Sequence, residues 1–174
     1  MTSPNKILAI ANKFVDKCGI GLPVHNVDNR QERIAMLDKK NNRILVYSTN
    51  VYAAYENCKL SIEDYIQIII SRELGRYLDP DYEYRSEKIN RGYEFVIKGI
   101  ESDTIKEYME SLKKEEETVA GEIGRQFIRE DLYESYDSIN ERYVILAKEK
   151  TGRYVTSTRI KLQISEIKRM LTES

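Results

Sequence analysis

One helix fixes most of what this chain can fold into. Ser61-x-x-Asp64 is a capping box with Asp in place of the usual Glu, which starts a helix at Ser61. Asp79-Pro80 ends it, because proline disfavours α geometry in the residue before it. Between these signals Ile62, Tyr65, Ile66, Ile69, Ile70, Leu74, Tyr77 and Leu78 recur at helical spacing. The apolar run Ile66-Gln67-Ile68-Ile69-Ile70 is too short to cross a bilayer. A helix this apolar belongs at the centre of a fold, with the other elements packed around it.

Ser3-Pro4 predicts the first of those elements, a hydroxyl N-cap followed by proline at the first helical position. Ile7, Leu8, Ile10, Ala11, Phe14 and Val15 make its apolar face, and Gly19 is its stop. Gly19 to Arg30 reads as a loop, with Pro23, Asn26, Asp28 and Asn29 as turn formers. Ile34-Ala35-Met36-Leu37 and Arg43-Ile44-Leu45-Val46-Tyr47 flank the polar turn Lys39-Lys40-Asn41-Asn42, which predicts a β-hairpin. A short helix is expected from Val51 to Asn57. After Pro80, Asp81 to Gly99 reads as mixed, with a short strand at Tyr93 to Ile97. Ser102 or Asp103 then caps a long helix to Tyr133; another runs from Asp137 to Lys150 and ends near Gly152, and Val155 to Leu171 forms the last. The predicted class is α+β: a small sheet built on the hairpin and packed by helices, in one domain over residues 1–174.

The 174 residues suit a single ordinary domain, and the balance of 41% hydrophobic and 33% charged residues fits a soluble, largely helical one. A net charge of −1 speaks against whole-molecule attraction to nucleic acid. Along the chain the charge is uneven. Residues 98–141 hold six Lys/Arg against thirteen Asp/Glu, a balance of −7, and residues 142–174 hold eight against three, a balance of +5. The segment 137–174 is therefore a basic C-terminal helical segment. Cys18 and Cys58 fit neither a metal spacing nor a disulfide framework and are expected to be buried free thiols. The N-terminus lacks the long apolar core of a signal peptide, so the expected location is the cytoplasm, with no membrane association.

The chemistry-bearing stretch is Arg72-Glu73-Leu74-Gly75-Arg76, within the central helix. It has the form of the zinc-protease helix His-Glu-x-x-His, in which two imidazoles one turn apart hold Zn²⁺ and the glutamate works on the bound water. Arginine occupies both ligand positions, and arginine stays charged and has no lone pair to offer a cation. His25 is the only histidine and sits in a loop after Pro23, where it reads as a surface residue rather than a ligand. Downstream, Glu117-Thr118-Val119-Ala120-Gly121-Glu122-Ile123-Gly124 supplies a candidate third position at Glu117. A carboxylate cluster with no nitrogen or sulfur ligand suits Mg²⁺ or Ca²⁺ at best, and two arginines repel either. No metal and no cofactor is expected.

In their order and flanks these motifs resemble the ImmA/IrrE family of bacterial and phage metallopeptidase-like proteins. That family pairs His-Glu-Leu-Gly-His-Tyr with a downstream Glu-x-x-Ala-x-x-Phe-Ala. The chain reads Arg72-Glu73-Leu74-Gly75-Arg76-Tyr77 and then Glu117-x-x-Ala120-x-x-Ile123-Gly124. The hairpin and the tail, with Leu146-Ala147 and Val155-Thr156-Ser157, are similar to the family layout, so the resemblance spans residues 5–170. It implies a zincin-like fold, Glu73 at the general-base position, Glu117 at the third-ligand position, and Arg72 and Arg76 at the histidine positions. Guanidinium groups there would pair with Glu73 and Glu117 and fill the volume and charge of a zinc ion.

The expected function is that of a catalytically inactive regulator, a pseudoenzyme that binds a regulatory protein of host or phage. The resemblance implies a phage, mobile-element or stress-response circuit, since active relatives act on repressors. One alternative is a nucleic-acid-associated transcriptional regulator using the basic C-terminal helices, with Arg153, Arg159 and Lys161 as candidate contacts. Leu146-Ala147, Gly152 and Val155 to Arg159 loosely match a helix-turn-helix, one residue too long in the turn, and a structural C-terminal helix is the favoured reading. The other alternative is a metallopeptidase with an unconventional site on Glu73 and Glu117, against which stands the lack of a group to activate water. The bland reading of the arginine motif is a solvated helix face, and the same holds for Glu115-Glu116-Glu117 apart from its register. The thirteen dispersed tyrosines read as ordinary half-buried packing.

Overall fold

The computed structural model describes residues 3–27, 33–56, 58–100 and 103–173. Asp28, Asn29 and Arg30 of the expected loop, Asn57 at the end of the expected short helix, and the candidate cap Ser102 lie outside them. The elements follow in the order α1 (Pro4–Lys17), β1 (Val24–Asn26), β2 (Ala35–Asp38), β3 (Arg43–Val46), α2 (Ser48–Tyr55), α3 (Ile62–Leu78), α4 (Tyr82–Ile97), α5 (Asp103–Arg125) and α6 (Tyr133–Glu173). Helices with a small mixed sheet make the class α+β. None of the described helices is long and apolar enough to cross a membrane. The chain falls into two compact units, Met1–Asp79 with Val119–Ser138, and Pro80–Thr118 with Ile139–Ser174.

The first unit is built on α3. Ser61 starts the helix as its sequence requires, the side-chain oxygen accepting the Asp64 N–H at 3.1 Å while the Ser61 hydroxyl donates to the Asp64 carboxylate at 2.7 Å. From Tyr65 to Gly75 every residue but the half-buried Gln67 is buried, so the central position foreseen for this helix holds. On α1, Ile7, Ala11, Phe14 and Val15 are buried, and Gly19 ends the segment at φ +70°. The Ser3 hydroxyl makes no cap bond; its backbone carbonyl accepts from Lys6 and Ile7 instead.

The hairpin pairs β2 with β3 antiparallel, Leu37 facing Ile44 and Asp38 facing Arg43. Its turn is a 3-10 stretch, Lys39–Asn41, followed by Asn42 in the left-handed region at φ 49°, which asparagine tolerates better than most residues. Asp38 holds that turn by accepting from the Asn41 backbone N–H at 3.3 Å and from Arg43 Nε at 2.8 Å. The loop expected from Gly19 to Arg30 contains a strand that its turn-forming residues conceal. β1 pairs parallel with β3, and the Asn12 side chain of α1 grips Val24 from the other side, accepting its N–H at 3.1 Å and donating to its carbonyl at 3.4 Å. The sheet order is β1-β3-β2, leaving β2 at an edge. The short helix is α2 and starts earlier than expected, at Ser48, whose hydroxyl bonds the Asn26 side chain at 2.5 Å.

Three expectations fail after Pro80, two of them in the second unit. Residues 82–97 form one helix, α4, with no strand at Tyr93 to Ile97. Its buried positions are Arg85, Ile89, Gly92 and Val96, at 4-3-4 spacing, and two of the four are not hydrophobic, so apolar periodicity hides the helix. Gly92 is there for room: a β-carbon would stand 2.7 Å from Met109 Cγ and Sδ of α5. Val96, Met109 and Val155 form the core, with Tyr93 and Ile105 packed against it and Tyr93 edge-on to Tyr154 at 4.8 Å.

Likewise α5 stops at Arg125 rather than Tyr133. A break containing the 3-10 stretch Glu130–Leu132 follows, which buries Ile128 and Leu132 and carries neither glycine nor proline to announce it. The two expected C-terminal helices are one, α6, with no stop at Gly152. That glycine sits inside the helix because a β-carbon would come 2.6 Å from Glu110 Oε1 on α5. Cys18 and Cys58 are half-buried free thiols, where burial was expected. Burial raises the Cys18 thiol pKa, against the lowering charge of Lys17.

Candidate functional site: an ion pair and a close helix crossing

Arg72, Glu73 and Arg76 lie in the buried middle of α3, with Arg72 only 1% exposed. The solvated helix face, which is the ordinary fate of such a motif, is therefore not what forms here. Glu73 points at the sheet. Its Oε2 accepts the backbone N–H of Leu37 at 2.8 Å, and Arg76 Nη1 donates to its Oε1. The Leu37 N–H belongs to edge strand β2, so the carboxylate satisfies a group that an edge leaves open. Of the pairs foreseen for the two arginines, Arg76 with Glu73 is formed.

Glu117 is buried on α5, one turn before Ala120. Glu116 beside it is buried as well and takes an ion pair from Lys113 at 3.0 Å, so of the three consecutive glutamates only Glu115 lies on a solvated face. Glu115 in turn accepts from the buried Arg85 of α4 at 3.2 Å.

The small residues of the two motifs have a physical role that sequence reading did not find. A β-carbon on Gly75 would overlap the carbonyl oxygen of Ala120, and one on Gly124 would stand 2.5 Å from the carbonyl oxygen of Ser71. Ser71-x-x-x-Gly75 on α3 thus meets Ala120-x-x-x-Gly124 on α5 at backbone distance, which only small side chains allow. Tyr136, at the start of α6, closes the crossing. Its hydroxyl donates to the Gly121 carbonyl at 2.8 Å and lies 2.6 Å from where a Gly124 β-carbon would be. Burial pushes the Tyr136 phenol up to about 12, against the lowering effects of Arg72, of a hydrogen bond from Ser71 and of Arg76. Tyr136 is 1% exposed, unlike the half-buried packing expected of the tyrosines as a class, and its spacing gave no cue.

Chemically, the carboxylate of this motif is already bonded within the fold. Both oxygens of Glu73 are engaged, one by a backbone donor and one by a guanidinium. The donor set at the two ligand positions does not fit zinc, since a guanidinium offers no lone pair. Among the described residues no three His, Cys, Asp or Glu side chains are grouped to hold a metal ion. His25 is exposed on β1, opposite Leu45.

The basic candidates of the tail are all exposed on α6, with Arg153 at 3.7 Å from Glu149. The three do not share a face: Arg159 and Lys161, two residues apart, project about 160° from each other on a continuous helix. The turn that a helix-turn-helix needs near Gly152 is absent as well. No family model, curated protein or solved structure matches the chain.

Proposed function

We propose that the protein is a metallopeptidase-like pseudoenzyme, a regulator that acts by binding another protein rather than by cutting it, in a phage, mobile-element or stress-response circuit. One observation carries this reading: Glu73, at the position of a general base, is buried and bonded through both oxygens to Leu37 and Arg76. A base must be within reach of the proton it takes and have a free lone pair directed at it. Here one lone pair on each Glu73 oxygen serves the fold, and the side chain lies where little solvent reaches. The helix crossing at Gly75, Ala120 and Gly124 accounts for why a metallopeptidase-like pattern persists in its small residues without its ligands. The binding partner is a regulatory protein of host or phage, and the location is cytoplasmic.

The experiment is a nuclease-treated affinity capture of the tagged protein from its host cell, read by mass spectrometry, with elemental analysis of the same preparation. One stoichiometric, uncleaved protein partner and no transition metal are expected. Stoichiometric zinc with a cleaved partner would overturn the reading in favour of an enzyme, and material released only by nuclease would overturn it in favour of nucleic acid.

A further inference from the structure

An edge strand offers its outward backbone groups to any chain that can lie beside it. On β2 those groups can be named. The Ile34 carbonyl accepts the Tyr47 N–H at 3.0 Å, so Ile34 turns toward β3, and alternation turns Met36 and Asp38 the same way. Ala35 and Leu37 therefore turn their N–H and C=O groups outward, which is why the Leu37 N–H can reach Glu73. Ala35 and Met36 are half-buried, so solvent reaches this part of the strand.

That edge is complementary to itself. Two copies of β2 laid antiparallel about a two-fold axis at Met36 set Ala35 opposite Leu37 on both sides of the axis. Each Ala35 N–H then meets a Leu37 carbonyl, and each Leu37 N–H meets an Ala35 carbonyl. The Leu37 N–H is the donor that Glu73 holds at 2.8 Å. While it is held, half of these bonds cannot form. The carboxylate oxygen also occupies the position that the incoming Ala35 carbonyl needs, so oxygen would face oxygen. We infer that Glu73 guards the β2 edge: by capping the Leu37 N–H it keeps the sheet from pairing with that of a second copy of the chain. Arg76 donates to the other carboxylate oxygen and holds the cap in place, as a positioning residue. This role does not depend on which partner the protein binds.

The test compares two replacements of Glu73 in the full chain by analytical ultracentrifugation over a wide range of concentration. Glu73→Gln keeps an acceptor for Leu37 and is expected to stay monomeric like the parent, although it is less stable. Glu73→Leu keeps most of the volume but offers no acceptor, and its mass is expected to climb toward twice that of the monomer as concentration rises. Should circular dichroism show that variant unfolded, Glu73→Leu combined with Arg76→Met removes both charges and takes its place. Adding Ala35→Pro deletes an outward N–H without touching the bonds to β3, and should return the Leu variant to monomer. A folded Glu73→Leu chain that stays monomeric overturns the inference. Equal association of the Gln variant overturns it too, by placing the cause in lost charge or stability. Association that survives Ala35→Pro does the same, by placing it on another surface.

Discussion

Replacing Glu73 with Gln isolates the charge of the buried cluster while leaving its shape. The amide oxygen can still accept the Leu37 N–H now held at 2.8 Å, but Arg76 loses the carboxylate to which it donates. The Glu73 and Arg76 side chains are 6% and 11% exposed, so solvent does little to compensate. Breaking a buried pair from one side costs about 3–5 kcal/mol. We expect about 3 kcal/mol for Glu73→Gln, and about 1–2 kcal/mol more for Glu73→Ala, which also orphans a buried backbone donor. For a chain of this size 1 kcal/mol moves the midpoint by about 2–4 °C, so Glu73→Gln should melt about 6–12 °C lower. Urea unfolding followed by circular dichroism and tyrosine fluorescence gives the free energies. Adding Arg76→Met to Glu73→Gln should recover part of the loss, because it removes the buried guanidinium that Glu73→Gln deprives of this carboxylate. A Glu73→Gln variant as stable as the parent, or more so, would refute the reasoning. It would mark Glu73 as a residue held against stability for chemistry.

Three further outcomes follow from the same region. Folding holds the Tyr136 pKa at about 12, above the ordinary 10, so the unfolded chain gives up this proton first. The contribution is complete below pH 10 and fades as pH rises toward 12, and the parent should lose stability over that window more steeply than Tyr136→Phe, as pH-dependent urea midpoints would show. Gly75→Ala should cost about 3 kcal/mol or more, since its new carbon meets the Ala120 backbone, which cannot swing aside as a side chain can; thermal melting reads it, and a loss below 1 kcal/mol would contradict the close crossing. Arg72→His combined with Arg76→His should acquire Zn²⁺ affinity if the scaffold is metallopeptidase-like. Zinc at about a hundredfold excess over Kd would then raise stability by about 2.7 kcal/mol, and a folded variant indifferent to zinc would count against that ancestry.

The elements readable from the sequence are those whose signals are local. The Ser61 cap, the Pro80 stop and the Asn41-Asn42 turn each act within a few residues, and all three stand where their chemistry puts them. What escaped reading depends on neighbours distant in sequence. β1 exists because Asn12 and β3 bind it from both sides, and α4 buries an arginine and a glycine where periodicity looks for apolar residues. Gly152 is the plainest case: a residue that usually ends helices is placed mid-helix by the approach of Glu110. At the candidate site the arginines and Glu73 were visible as a departure from a pattern. The Leu37 donor and Tyr136 were not, because neither a backbone N–H nor one tyrosine among thirteen carries a mark in sequence.

The ion pair on α3 also bears on how such a chain can change over generations. Exchanging Arg76 alone leaves a buried carboxylate without its cation, and exchanging Glu73 alone takes from Arg76 the carboxylate to which it donates. Each single step descends in stability before any second step can restore it. Mutational routes between this arrangement and a metal-binding one therefore cross a valley, and drift by one substitution at a time is biased to keep both charges where they are.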